Sequence, residues 1–194
     1  MRIFVSGALG NLGSKLISHL CSQSWCTEIV GVDIHRRKSY EISDASPKLI
    51  VAQADLTDPT DRRWRDLMAG CDAVVHFAVC NIMPDSSWQD AAESFSMTSN
   101  LLDAAKETGV RRFVFSSSNH VMGGYKDPPL SVDLKPGGLT PDLPPSPGTW
   151  MLRAGVKIRP CAYGAAKLFG EKAVHTKARA SGGRLTGVAI RIGW

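Results

Sequence analysis

Tyr163 and Lys167 stand four residues apart in the stretch Tyr163-Gly164-Ala165-Ala166-Lys167. On a helix, residues at i and i+4 share a face. An ammonium beside a phenol favours the phenolate, lowers the tyrosine pKa toward neutrality and makes the side chain a usable general base. The same spacing also describes a surface tyrosine next to a solvated lysine, so the pair needs further residues to carry a chemical reading. A second group lies near the N-terminus, in Gly7-Ala8-Leu9-Gly10-Asn11-Leu12-Gly13. There Gly7 permits a tight turn, Gly10 lets backbone approach a diphosphate, and Gly13 lets a helix pack close to a sheet. A helix starting at this turn aims amide donors and a partial positive charge at phosphate oxygens. The third is Asp33, 20 residues beyond Gly13. A carboxylate there accepts hydrogen bonds from ribose hydroxyls and repels a 2′-phosphate.

The elements that must position these groups alternate in type. Short apolar strands are expected at Arg2–Ser6, Glu28–Asp33, 48–54, 72–78, 111–116 and 185–192. Between them, 11–22 carries Leu12, Leu16, Ile17 and Leu20 at helical spacing. The segment 59–69 has Asp58 as N-cap, Pro59 in first position and Gly70 at its end. Helices are also expected over Trp88–Thr108 and 161–180. Strands apolar on both faces and separated by helices predict one α/β domain over 1–194, a doubly wound, mainly parallel sheet covered on both sides: a Rossmann fold. In that frame the glycine turn follows a strand and opens a helix, and Asp33 ends the second strand, which is the arrangement of a dinucleotide site. One region breaks the rhythm. Residues 119–160 hold most of the prolines, and a long stretch without periodicity is usually functional. It follows the fifth strand, at whose carboxyl end ligands bind in open parallel sheets.

These motifs resemble the extended branch of the short-chain dehydrogenase/reductase superfamily, the NAD-dependent epimerase/dehydratase family, along essentially the whole chain. The resemblance implies NAD as cofactor, with Gly7, Gly10, Asn11, Leu12 and Gly13 at the diphosphate and Asp33 and Ile34 at the adenosine ribose. It places Asp55-Leu56 against the adenine, His76-Phe77-Ala78 and Val79 along the cofactor, and Ser116 beside it. Ser118, the third of three serines and five residues before Gly123, becomes the catalytic serine with Tyr163 and Lys167. The implied chemistry has Tyr163 take a substrate hydroxyl proton, Ser118 orient that oxygen, and Lys167 hold the nicotinamide ribose while tuning Tyr163. A narrower resemblance joins Ser117-Ser118-Asn119-His120-Val121-Met122-Gly123-Gly124-Tyr125 and Arg191-Ile192-Gly193 to uronate dehydrogenases, which oxidise the anomeric carbon of hexuronic acids. It assigns Asn119 and His120 to a small sugar substrate and allows a homodimer. Three functions stand open: dehydrogenase of a sugar or sugar acid, epimerase or dehydratase of a nucleotide-linked sugar, and a non-catalytic NAD-binding sensor. In the helix after the fourth strand the branch's first Asn is Ser94 here, while Asn100 matches the second. A substrate-binding segment is expected to follow the sixth strand, leaving apolar surface near Trp194 and the 119–160 region uncovered.

Composition excludes other classes. Hydrophobic residues make up 43% and charged residues 21%, as in soluble globular domains. No apolar run approaches the roughly 20 residues of a membrane span, and no signal peptide is read at the N-terminus. Cys21, Cys26, Cys71, Cys80 and Cys161 show neither CxxC nor Cys/His ligand spacing, so free thiols in a reducing cytoplasm and no metal are expected. The net charge of +5 comes from scattered residues. Its densest run, His35-Arg36-Arg37-Lys38, has no aromatic interleaving and is expected to be a solvated loop or a neighbour of the adenosine, not a nucleic-acid site.

Overall fold

The computed structural model describes residues 1–35 and 46–193. Strands β1 (Arg2–Ser6), β2 (Glu28–Asp33), β3 (Leu49–Gln53), β4 (Ala73–His76), β5 (Arg112–Ser118) and β8 (Thr186–Ile192) form one sheet in the order β3-β2-β1-β4-β5-β8, every pair parallel. Helices α1 (Asn11–Cys21), α2 (Arg62–Met68), α3 (Trp88–Thr108) and α4 (Ala162–Ala180) complete the doubly wound Rossmann arrangement. Because side chains alternate along a strand, the sheet has two cores. Ile3, Val5 and Ile29 meet Ile17 and Leu20 of α1 on one face, while Phe4, Val30, Val32, Val74, Phe113 and Phe115 meet Trp64, Met68, Leu101 and Leu102 on the other.

His76 ties these layers together at the sheet's centre. It is fully buried; its Nδ1 lies 2.6 Å from Ser6 Oγ and its Nε2 2.9 Å from Thr98 Oγ1. Thr98 Oγ1 already donates to the Ser94 carbonyl, so it accepts from Nε2–H, and Ser6 donates to Nδ1. Burial pushes the imidazole pKa down to about 3, helped by the charge of Lys167, so this ring stays neutral.

Four expectations are corrected. Helix α2 starts at Arg62, because Asp61 caps it by accepting from Arg63 N at 2.9 Å. Asp58 instead accepts from Thr60 N and its hydroxyl, a local turn that holds Pro59 outside the helix. Strand β5 runs two residues past its expected end, since β8 pairs with it as far as Ser118↔Ile192. Residues 119–160 are not structureless: they hold a 3-10 turn at Asn119–Lys126 and an antiparallel pair, β6 (Met151–Arg153) and β7 (Val156–Ile158). Nor is the sheet covered on both sides at its edge. Gly187 of β8 faces α4, and the alternate residues Val188 (44% exposed) and Ile190 (51%) face outward on the other side. Arg36, Arg37, Lys38 and Trp194 lie outside the described residues.

Helix α4 approaches β5 through Gly170. A Cβ there would lie 2.4 Å from Cζ of Phe115, a ring that is itself buried. Gly170→Ala gains about 1 kcal/mol in helix propensity, but overpacking costs about 1–3 kcal/mol. The steric term is expected to win, lowering the urea midpoint. A variant as stable as the wild type in urea melts would show that α4 has room to spare.

Candidate active site

The glycine turn is built from backbone contacts. Gly7 has φ +65°, and a Cβ on it would lie 2.8 Å from the Ala78 amide nitrogen. A Cβ at Gly13 would come within 2.1 Å of the Gly7 carbonyl oxygen. Gly10 differs: a Cβ there would meet only the Gly7 oxygen, at 3.3 Å, so its outer side is open. Gly10 is also the N-cap of α1 and provides no side-chain cap, which leaves the first-turn amides to an external acceptor. Asp33 is fixed beside this turn, its Oδ2 accepting from Leu9 N at 2.9 Å and its Oδ1 from His35 N at 3.1 Å. Each oxygen retains lone-pair capacity for a ribose hydroxyl. Asn11, Leu12 and Ile34 are exposed at this rim. Phe77, Ala78 and Val79 are half-buried in the loop after β4. The residues present therefore fit a dinucleotide: an uncapped helix terminus for the diphosphate and a fixed carboxylate for the ribose.

The catalytic candidates converge where α4 meets the end of β5. Lys167 is buried, and its Nζ donates to the Ser116 carbonyl at 2.7 Å; Ser116 thus takes part through its backbone. Burial lowers the Lys167 pKa to about 8. Tyr163 responds in the opposite sense to the sequence expectation. Burial raises its pKa, and a hydrogen bond with Ser118 only partly offsets this. The cause is geometric: the ammonium lies 5.8 Å from the centre of the tyrosine ring and is committed to Ser116. Ser118 Oγ also accepts from His120 N at 3.2 Å and donates to Asn119 Oδ1 at 3.3 Å. The His120 ring stands edge-to-face with Tyr163, centroids 5.6 Å apart, and burial lowers its pKa. Ser118, Asn119, His120 and Tyr163 are thus brought together. Residues 146–149 fold back on this turn through Ser146 N→Val121 O (3.0 Å) and Gly124 N→Ser146 O (2.8 Å), so the 119–160 insertion forms one wall of the site.

Other expected positions have partners within the chain. Asp55 Oδ1 accepts from Thr57 N and its hydroxyl, at 2.8 and 2.7 Å, and Leu56 is in the core. Asn100 Nδ2 holds the Leu56 and Thr57 carbonyls at 2.9 and 3.0 Å. Ser94, where the related branch has Asn, accepts from Cys80 N at 3.0 Å and so braces the loop after β4. The Cys80 thiol is pushed up to about 12, first by its hydrogen bond to Glu93. The sequence reading missed one buried group, Glu171. It binds Ser117 Oγ and, in two parallel bonds of 2.8 Å, Arg191 Nε and Nη2. Its signal was the spacing Tyr163, Lys167, Glu171, three residues at helical intervals of four.

Comparison with known proteins accords with this geometry. Residues 3–192 match the NAD dependent epimerase/dehydratase family. An L-arabinose 1-dehydrogenase (NAD(P)(+)) of Haloferax volcanii is 30% identical over all of this chain and 66% of its own length. A UDP-galactose 4-epimerase structure superposes with TM-score 0.74 at 29% identity, covering 98% of this chain and 55% of that one. A mutated uronate dehydrogenase superposes with TM-score 0.70 at 26% identity, covering 99% and 58%. The chain spans 48% to 66% of the lengths of the first two curated relatives.

The buried lysine makes a stability prediction for the cofactor-free protein. Its folded pKa of about 8 lies below the ordinary 10.5, so between those values the unfolded chain binds more protons and stability rises with pH. Relative to Lys167→Met, the wild type should gain on the order of 3 kcal/mol across that window. Urea melts of both proteins from pH 7 to 10.5 check this, and parallel curves would contradict it.

Proposed function

The chain belongs to the NAD dependent epimerase/dehydratase family, and on that premise we propose that it is an NAD-dependent dehydrogenase oxidising the anomeric hydroxyl of a sugar or sugar acid. The observation that carries this reading is the cluster of Tyr163, Ser118, Asn119 and His120 at the carboxyl end of β5, with the ring of His120 against that of Tyr163. Three different hydrogen-bonding side chains beside one phenol suit a polyol. Likeness to an arabinose 1-dehydrogenase and a uronate dehydrogenase supports the sugar class.

Bound NAD supplies the hydride acceptor. The chain's own groups do the rest. Gly10 and the first amides of α1 hold the diphosphate, and Asp33 binds the adenosine ribose. Tyr163 Oη takes the proton of the substrate hydroxyl, Ser118 Oγ donates to that oxygen and orients it, and Lys167 holds the nicotinamide ribose from its place under Ser116. Asn119 and His120 contact the remaining sugar hydroxyls. A second reading, epimerisation of a nucleotide-linked sugar, draws on the likeness to UDP-galactose 4-epimerase. The two differ in net chemistry. A dehydrogenase accumulates NADH when given a free hexuronic acid or pentose and excess NAD, whereas an epimerase returns the hydride and accumulates none. No NADH with any free sugar, together with isomer formation from a nucleotide-sugar, would replace the first reading by the second.

Tyr163→Phe removes the proton acceptor while keeping the packed ring, so turnover should fall at least about 100-fold with NAD affinity nearly unchanged. Ser118→Ala should lower kcat and move the rate profile to higher pH, because the Ser118 hydrogen bond is what lowers the phenol pKa. Steady-state kinetics over the alkaline range test both; near-wild-type turnover in the phenylalanine variant would remove Tyr163 from the mechanism.

Cofactor choice follows from Asp33. A 2′-phosphate would face a fixed carboxylate and lose a charged hydrogen bond worth about 1.5–3 kcal/mol, so NAD should bind at least about 10-fold tighter than NADP. Calorimetric titration decides it, with equal or tighter NADP binding as the contrary result.

A further inference from the structure

We propose that Glu171 is a positioning residue for the catalytic pair, holding the angular setting of α4 against the end of β5; this rests on the dehydrogenase reading for its kinetic consequence. Three residues of one α4 face meet the last three residues of β5. Tyr163 lies beside Ser118, Lys167 bonds the Ser116 carbonyl, and Glu171 bonds the Ser117 hydroxyl. The first two contacts use groups that must also serve substrate and cofactor. Only the third is free to act as a fixed anchor. It is made in two directions at once, because Ser117 and Arg191 are register partners on β5 and β8 and present their side chains to the same face. Glu171 therefore spans both strands: Oε1 takes Ser117 Oγ and Arg191 Nε, and Oε2 takes Arg191 Nη2.

The placement favours a geometric role over a stabilising one. Replacing a buried ion pair by apolar side chains is often neutral or better for stability, so the pair earns little as a staple. It sits one turn beyond Lys167, at the height where β5 must present Ser116 and Ser118. Strand β8 is the sheet's edge, and on its other face Val188 and Ile190 are open. Beyond its ladder to β5, the bidentate Arg191–Glu171 bond fixes the carboxyl end of β8 to α4. Burial pushes the Glu171 carboxyl up, but hydrogen bonds from Arg191 and Ser117 and the guanidinium charge outweigh it and hold the pKa below the usual value. The anchor is thus charged wherever the enzyme would work.

Two variants and two readouts test this. Glu171→Gln keeps volume and removes the charge; the double variant Glu171→Met, Arg191→Met removes the pair without stranding a cation. A positioning role predicts kcat lower by about 10- to 100-fold in both, in line with the effect of ångström-scale misplacement, with the KM for sugar and NAD changed less than about threefold. It also predicts that the double variant melts close to the wild type while its kcat stays low. Wild-type kcat in a folded double variant overturns the proposal. The second readout needs no turnover. With lysine labelled at Cε, the Lys167 resonance of the cofactor-free protein should titrate near pH 8, and the double variant, which leaves the net charge unchanged, should displace that midpoint as the Ser116 carbonyl shifts away from Nζ. An unmoved midpoint counts against the proposal even if no sugar is turned over, whereas a moved midpoint with no wild-type activity would fault the dehydrogenase reading alone.

Discussion

The structure depends on how closely α4 approaches the end of β5. Gly170 lies directly over Phe115 with no room for a methyl group, and that contact sets the height at which the rest of the helix meets the strand. At this separation the Lys167 side chain reaches the Ser116 carbonyl, Tyr163 reaches Ser118, and Glu171 reaches Ser117. Packing density does the selecting: interiors tolerate few voids and little overlap, so a helix docked on glycine has one way to sit. The catalytic candidates inherit their geometry from an apolar contact, several residues away from any chemistry.

Burial then tunes the charges so delivered, with different results for each. His76 is fully enclosed among Ser6, Thr98, Phe113 and Phe115, and its two nitrogens are satisfied by hydroxyls. It has no carboxylate to favour its charged form and is held neutral. Lys167 has a carbonyl and the faces of Phe115 and Tyr163 but no anion, so its pKa falls part of the way. Glu171 is buried to a similar degree but faces a guanidinium, and its carboxyl stays ionised. The deciding quantity is the partner, not depth alone.

How much of this the sequence disclosed depends on whether a feature is local. Strand and helix order, the parallel sheet, the glycine turn and Asp33 are legible because each follows from periodicity or from a residue type whose backbone freedom is needed in place. Tyr163 and Lys167 are legible as a helical pair, and the serine run as a strand end. The Tyr163 pKa was misjudged because spacing says that an ammonium is near, not where it points; Ser116, a distant carbonyl, captures it. Asp58 reads as the cap, but its carboxylate is taken by Thr60 and the cap is Asp61. The folded-back wall at 146–149 was invisible, and the spacing of Glu171 gave its helix face but not its partners Ser117 and Arg191, because each joins elements far apart in sequence through single side chains or lone backbone bonds.

This division has a functional counterpart. The glycine turn lies where the strand order reverses between β1 and β4, with Gly7 against the Ala78 backbone, the crevice that open α/β sheets offer to ligands. It is made largely of main chain, so its requirements fall on glycines and one carboxylate. The candidate catalytic side chains come from β5, the 3-10 turn and α4, beside the 146–149 wall. Changes in the 119–160 insertion would alter the surroundings of Asn119 and His120 without touching the glycine turn or Asp33. This division suits a fold that structures of a UDP-galactose 4-epimerase and a uronate dehydrogenase share.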